Sequence, residues 1–78
     1  MVSAPELKKS LDKKLTIFLN GNRIIEGKLT GYDIFLNLTI NNAVEKIKLN
    51  KSGDKFDIVD IGECVVRGNS IVSLEILD

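Results

Sequence analysis

Apolar positions along the chain change spacing once, and the change divides it into a short helix and a series of strands. Leu7 and Leu11 are four apart and share one helical face, which Lys8 and Lys9 flank. Ser3-Ala4-Pro5-Glu6 supplies the start: Ser3 as cap, Glu6 three residues on as the other half of a capping box, and Pro5 where no intrahelical bond is lost. The pattern predicts a helix over about 4–12. From Leu15 the period becomes two. Leu15, Ile17 and Leu19 alternate with Thr16, Phe18 and Asn20, a half-buried strand. Asn20-Gly21-Asn22 then supplies the positive φ angles of a tight hairpin.

A second strand, about 23–32, places Ile25, Gly27, Leu29 and Gly31 on one face. Two side-chain-free positions on that face let the strand bend or another backbone approach. Asp33 to Phe35 is a short connection. The third strand, about 36–49, begins with Leu36, Leu38 and Ile40 in one phase and ends with Ile47 and Leu49 in the other, which implies a bulge near 41–43. Lys51-Ser52-Gly53-Asp54-Lys55 is a polar loop, and strands follow at about 58–66 and 71–76 with Arg67-Gly68-Asn69-Ser70 as the turn between them. The fold class is therefore mainly β: a short N-terminal helix, then a strongly bent five-stranded antiparallel sheet, an open barrel with the helix over one opening. An open barrel has two exposed edges. The short apolar strands Cys64-Val65-Val66 and Ile71-Val72-Ser73-Leu74 make pairing with other chains physically reasonable there.

Composition narrows the chemistry. Seventy-eight residues, 44% of them hydrophobic, suit a single folded domain with a thin core, and a domain this small gains stability from oligomerisation. No secretory or membrane-spanning pattern is visible. Net charge is zero, with an excess of three positive charges over 1–28 and of three negative charges over 29–78. That asymmetry fits an oriented interface or an ordinary solvated surface. The absence of histidine removes the usual general base near neutral pH. A single cysteine, Cys64, excludes an ordinary zinc site and reads as a structural thiol between apolar neighbours. No catalytic residue, metal or cofactor is expected.

Two polar turns carry the remaining chemistry. Phe35 offers an aromatic plane, Asn37 an amide with donor and acceptor, and Arg67 a flat cation that stacks on a base or meets a phosphate. Together such groups can make a one-nucleotide pocket. Taken singly, Phe35 is more often a core residue, Asp33 a turn former and Arg67 a surface charge.

Gly27-Lys28-Leu29-Thr30-Gly31-Tyr32-Asp33-Ile34-Phe35-Leu36-Asn37-Leu38 resembles the first signature of the Sm/LSm family, G-x-L-x-G-[FY]-D-x-[FHM]-x-N-[LV]. Val66-Arg67-Gly68-Asn69-Ser70-Ile71 resembles the second, [IV]-R-G-N-S-[IV]. The resemblance implies one SH3-like Sm domain over 1–78, its first signature region at about 15–49 and its second at about 58–76. Pro5 to Lys9, Asp12 to Lys14, Phe35 and Asn69 are similar to the G-type branch of the Sm proteins rather than to its LSm counterpart. Thr30 stands where the family often has a basic residue.

By resemblance, the chain is a structural subunit of a ring of seven different chains. It sits between Sm-E-like and Sm-D-like neighbours on the uridine-rich Sm site of small nuclear RNAs, in the nucleus after cytoplasmic assembly. Phe35 and Arg67 stack on a base, Asn37 reads its edge, Asp33 and Gly31 shape the first turn, Gly68 admits the close approach and Asn69 supports the second turn. An LSm-type ring in RNA decay or 3′-end binding is the alternative. A β-barrel module binding a peptide at its edge is the rival from another class.

Overall fold

A computed structural model describes residues 4–49 and 55–77. Helix α1 (Ala4–Ser10) is followed by strands β1 (Lys14–Leu19), β2 (Arg23–Tyr32), β3 (Leu38–Lys48), β4 (Phe56–Val66) and β5 (Ile71–Leu77), with one 3-10 turn at Gly68–Ser70. The expected cap at Ser3 and the polar loop over 51–54 lie outside the described residues.

All neighbouring strands are antiparallel, in the order β4-β3-β2-β1-β5. The two edges are therefore β4 and β5, as the pattern of short apolar strands suggested. Alternation on β1 sends Leu15, Ile17 and Leu19 into the core, where they meet Ile25 and Leu29 of β2 and Leu38 and Ile40 of β3. Leu7 of α1 is fully buried in the same cluster, and Leu11 packs against it half-buried. The helix ends at Ser10, earlier than the pattern indicates, because Asp12 takes a left-handed φ of 65°. The exit is stitched to β2: the Asp12 N–H donates to the Leu29 carbonyl at 2.7 Å, and the Leu29 N–H donates to Lys13 at 3.0 Å.

The sheet bends where its ladder slips. Register shifts occur between Glu26 and Lys28, between Leu29 and Gly31, and between Ile40 and Ala43. The last is the expected bulge, with Asn42 at φ 53° and, on the facing strand, Gly62 at φ 80°. The hairpin between β1 and β2 has its positive φ angles at Gly21 and Asn22. The two glycines of β2 differ in role. A Cβ at Gly27 would collide with Ile40 Cγ2 and lie 2.9 Å from the Asn41 carbonyl oxygen, so β3 crosses there because Gly27 has no side chain. At Gly31 nothing lies within 4 Å of such an atom, and its φ is not left-handed. The close approach is thus at Gly27, not at Gly31.

On the flank of the sheet, Arg23 Nε and Nη2 donate to the two carboxylate oxygens of Glu45 at 2.7 and 2.8 Å, tying the start of β2 to β3. Glu45 is held below the usual carboxylate range chiefly by that hydrogen bond. Arg23 is more than half exposed, so solvent screens most of the pair's contribution to stability.

Gly27→Val is expected to destabilise the fold by roughly 1–3 kcal/mol through overpacking. Gly31→Ala is expected to stay within about 0.5 kcal/mol of the parent. Urea unfolding of the two variants, followed by circular dichroism, checks the difference; equal destabilisation would count against the assignment of the close contact to Gly27.

Candidate nucleic-acid interface

The first polar turn is built around one carboxylate. Asp33 Oδ1 accepts the backbone N–H of Phe35 at 2.9 Å and of Asn37 at 3.0 Å, while Oδ2 accepts from Asn37 Nδ2 at 3.1 Å. Two backbone bonds close the same loop, Leu36 N–H to Asp33 O at 3.0 Å and Asp33 N–H to Asn37 O at 3.1 Å. An aspartate that accepts from amides two and four residues ahead folds the chain over itself locally. The carboxyl is held below its ordinary range, chiefly by the Asn37 backbone N–H. Leu36 completes the turn with a left-handed φ of 64°, and β3 therefore begins at Leu38 rather than at 36. Leu36 packs against the core, which holds a conformation that leucine ordinarily avoids.

The second turn is the 3-10 segment. Arg67 enters it extended, the Ser70 N–H donates to the Arg67 carbonyl at 3.0 Å, and the Ile71 N–H donates to Gly68. The two turns meet at Asn37. Its Oδ1 accepts the Gly68 N–H at 3.0 Å across thirty-one positions of sequence. A Cβ on Gly68 would lie 2.7 Å from the Leu36 carbonyl oxygen and 3.0 Å from that of Phe35, so only glycine admits this approach.

The sequence-derived residues are placed as follows. Asp33, Asn37 and Gly68 form one hydrogen-bonded unit. Phe35 projects from the first turn at 74% exposure, so the core reading of its ring does not apply. Arg67 is exposed beside Gly68, and Asn69 is exposed on the 3-10 turn. Gly31 lies in β2 ahead of the turn, outside this unit. Thr30 donates its hydroxyl to the Thr39 carbonyl across the ladder at 3.2 Å. Cys64 is half-buried against the core, and burial chiefly raises its thiol pKa, which fits a structural thiol rather than a nucleophile.

Two features of the site escaped the sequence reading. Ile34, at the tip of the first turn, is 88% exposed, and the only clue was an apolar residue between an aspartate and an aromatic in a turn. The left-handed Leu36 carried no clue, because leucine is a poor candidate for positive φ.

The Asn37 amide has defined spare capacity. Nδ2 gives one N–H to Asp33 and keeps one, and Oδ1 takes the Gly68 N–H and keeps one lone pair. Both contacts orient the amide, so it offers an acceptor and a donor at fixed places. The adjoining surface is aromatic and cationic. Such a constellation is chemically able to hold a flat base with an N–H beside a carbonyl.

The LSM domain model matches residues 5–76. The small nuclear ribonucleoprotein G of Saccharomyces cerevisiae is 49% identical over 100% of this chain and 97% of its own length. Among solved structures, a heptameric archaeal Sm protein superposes with a TM-score of 0.78 at 25% identity, covering 96% of this chain and 100% of that one. A Pyrococcus abyssii Sm protein solved in complex with a uridine heptamer superposes with a TM-score of 0.73 at 26% identity, covering 99% and 100%. The fold thus matches solved Sm proteins over almost the whole chain, and the chain belongs to the LSM-domain family.

Proposed function

We propose that this chain is a structural, RNA-holding subunit of a hetero-heptameric Sm ring that assembles on the uridine-rich Sm site of small nuclear RNAs, in the G position. The observation that carries the reading is the Asn37 amide, oriented by Asp33 and Gly68 beside exposed Phe35 and Arg67. Uracil presents a ring N–H next to a carbonyl, which an oriented amide pairs with through its free acceptor and donor. Cytosine presents the reverse, an acceptor next to an amino group. An amide free to rotate would serve either base; this one is held.

The ring form is supported by the edges. Neither β4 nor β5 has a partner on its outer side among the described residues, and Val65 and Val72 stand exposed on them. The similarity to a ribonucleoprotein G and to a heptameric Sm protein supports the G position and the ring. The neighbours are then Sm-E-like and Sm-D-like chains, and the ring acts in the nucleus as the core of spliceosomal ribonucleoproteins after assembly in the cytoplasm. The domain extends over the whole chain, 1–78. Asn69 supports the second turn.

Within a reconstituted ring, Phe35→Ala is expected to weaken binding of a uridine-rich oligonucleotide by roughly 1–3 kcal/mol, the usual worth of one stacked base. Arg67→Ala weakens it as well and lowers its salt dependence if the guanidinium meets a phosphate. Asn37→Ala relaxes the preference for uridine over the cytidine counterpart. Filter-binding titrations with both oligonucleotides test this, and 4-thiouridine crosslinking places the contact. Unchanged base preference in Asn37→Ala, with no crosslink near Phe35, would reduce this chain to a spacer in the ring.

The pH response follows from Asp33. Its folded-state pKa is depressed, so its contribution to the turn is complete above the ordinary aspartate value of about 3.9 and is lost as pH falls through the depressed one. RNA binding is therefore expected to show no loss traceable to Asp33 between neutral pH and about 5. Asp33→Asn, which keeps shape but removes charge, should weaken binding at every pH; titrations of parent and variant across that range provide the check.

A further inference from the structure

The two open edges of the chain carry charge of one sign. β4 reads Phe56-Asp57-Ile58-Val59-Asp60-Ile61-Gly62-Glu63-Cys64-Val65-Val66, with three acids and no base. β5 reads Ile71-Val72-Ser73-Leu74-Glu75-Ile76-Leu77, with one acid and no base. All four carboxylates are exposed, and none forms an ion pair with another described residue. The lysines and arginines of the described chain lie on α1, β1, β2, β3 and the connecting segments. The base nearest Glu75 in the ladder is Lys14, opposite Leu77, and it sits on β1, the covered side of β5.

We infer that these edges are charged against a second copy of this chain and select neighbours whose own edge strands carry lysine or arginine. The inference rests on the ring reading above and adds to it the chemistry of the partners. The apolar edge residues Ile58, Val65, Val72 and Ile76 favour pairing with any similar strand, a second copy included. They do not discriminate; the carboxylates do. When all of β5 from one copy is laid along β4 of another, every register, parallel or antiparallel, puts Glu75 opposite an acid of β4 or one residue from it. Strand geometry then brings the Cα atoms within about 6 Å. That is inside the Debye length of about 10 Å at 0.1 M salt. Directly opposite, the carboxylates share a face and repel as a cross-strand pair; one residue off, they lie on opposite faces and repel only through the longer-range field, whereas a basic strand in the same place is attracted. One set of side chains thus disfavours a ring of identical chains and favours a mixed one.

The isolated chain is compared at about 0.05 M and about 1 M salt, where the Debye length falls to about 3 Å, by native mass spectrometry and size-exclusion chromatography. The parent chain is expected to show no ring of identical copies at low salt and to gain mass at high salt. Asp60→Lys with Glu63→Lys makes β4 attractive to Glu75 of another copy, so self-association appears at low salt and recedes at high salt. The neutral pair Asp60→Asn with Glu63→Gln should respond least to salt, which separates charge from a general effect of salt on apolar contacts. Glu75→Lys repeats the reversal from the other edge, should a β4 variant fail a circular-dichroism check of folding. Equal self-association of the parent at both salts would overturn the inference, as would folded reversed variants that behave like the parent. Co-expression with Sm-E-type and Sm-D-type chains separates the two readings. A mixed ring that forms while self-association ignores charge removes this inference and leaves the ring; failure of the parent to join any ring removes both.

Discussion

The hydrogen bond from the Gly68 N–H to Asn37 Oδ1 is the constraint on which the site depends. It joins turns that are far apart in sequence, and it forms only because position 68 has no side chain to strike the Phe35–Leu36 backbone. On the Asn37 side it works with the Asp33 carboxylate, which holds the other end of the same amide. Without the bond, Phe35 and Arg67 would belong to two independent loops. With it, the turns that carry them are joined, and the Asn37 amide between them is oriented from both ends.

The bond in turn requires a curved sheet. A flat five-stranded sheet would keep the β2–β3 connection apart from the β4–β5 connection, since β4 and β5 lie at opposite edges. Curvature comes from ladder slips in β2, β3 and β4 and from the crossing of β3 over the bare Cα of Gly27. The barrel nevertheless stays open, because β4 and β5 do not pair with each other. The same bend therefore brings the turns together and leaves two unpaired edges. A binding surface and assembly seams follow from a single geometric cause, and the acids along those seams add selectivity to what would otherwise be an indiscriminate apolar edge.

Much of this was legible in the residues. Alternation at Leu15, Ile17 and Leu19 identified β1 and its buried face, and the phase slip between Ile40 and Ile47 placed the bulge near 41–43, where the ladder does shift. Phe35, Asn37 and Arg67 stood out for the base-stacking and base-pairing chemistry they carry, and the two signature stretches placed them in one family. Element ends were less legible. The helix stops early and β3 starts late because Asp12 and Leu36 adopt left-handed conformations, which side-chain type does not announce for leucine.

By itself the sequence determined the order of elements and the buried face of β1, and it carried the candidate residues of the two turns, because each follows from local period or from chemistry carried by single residues. Tertiary structure alone decided that Gly27 rather than Gly31 is the crowded glycine, that Phe35 projects into solvent and that the Asn37 amide is divided between two turns. Those outcomes depend on which backbone crosses which, a relation between distant segments that no local pattern encodes.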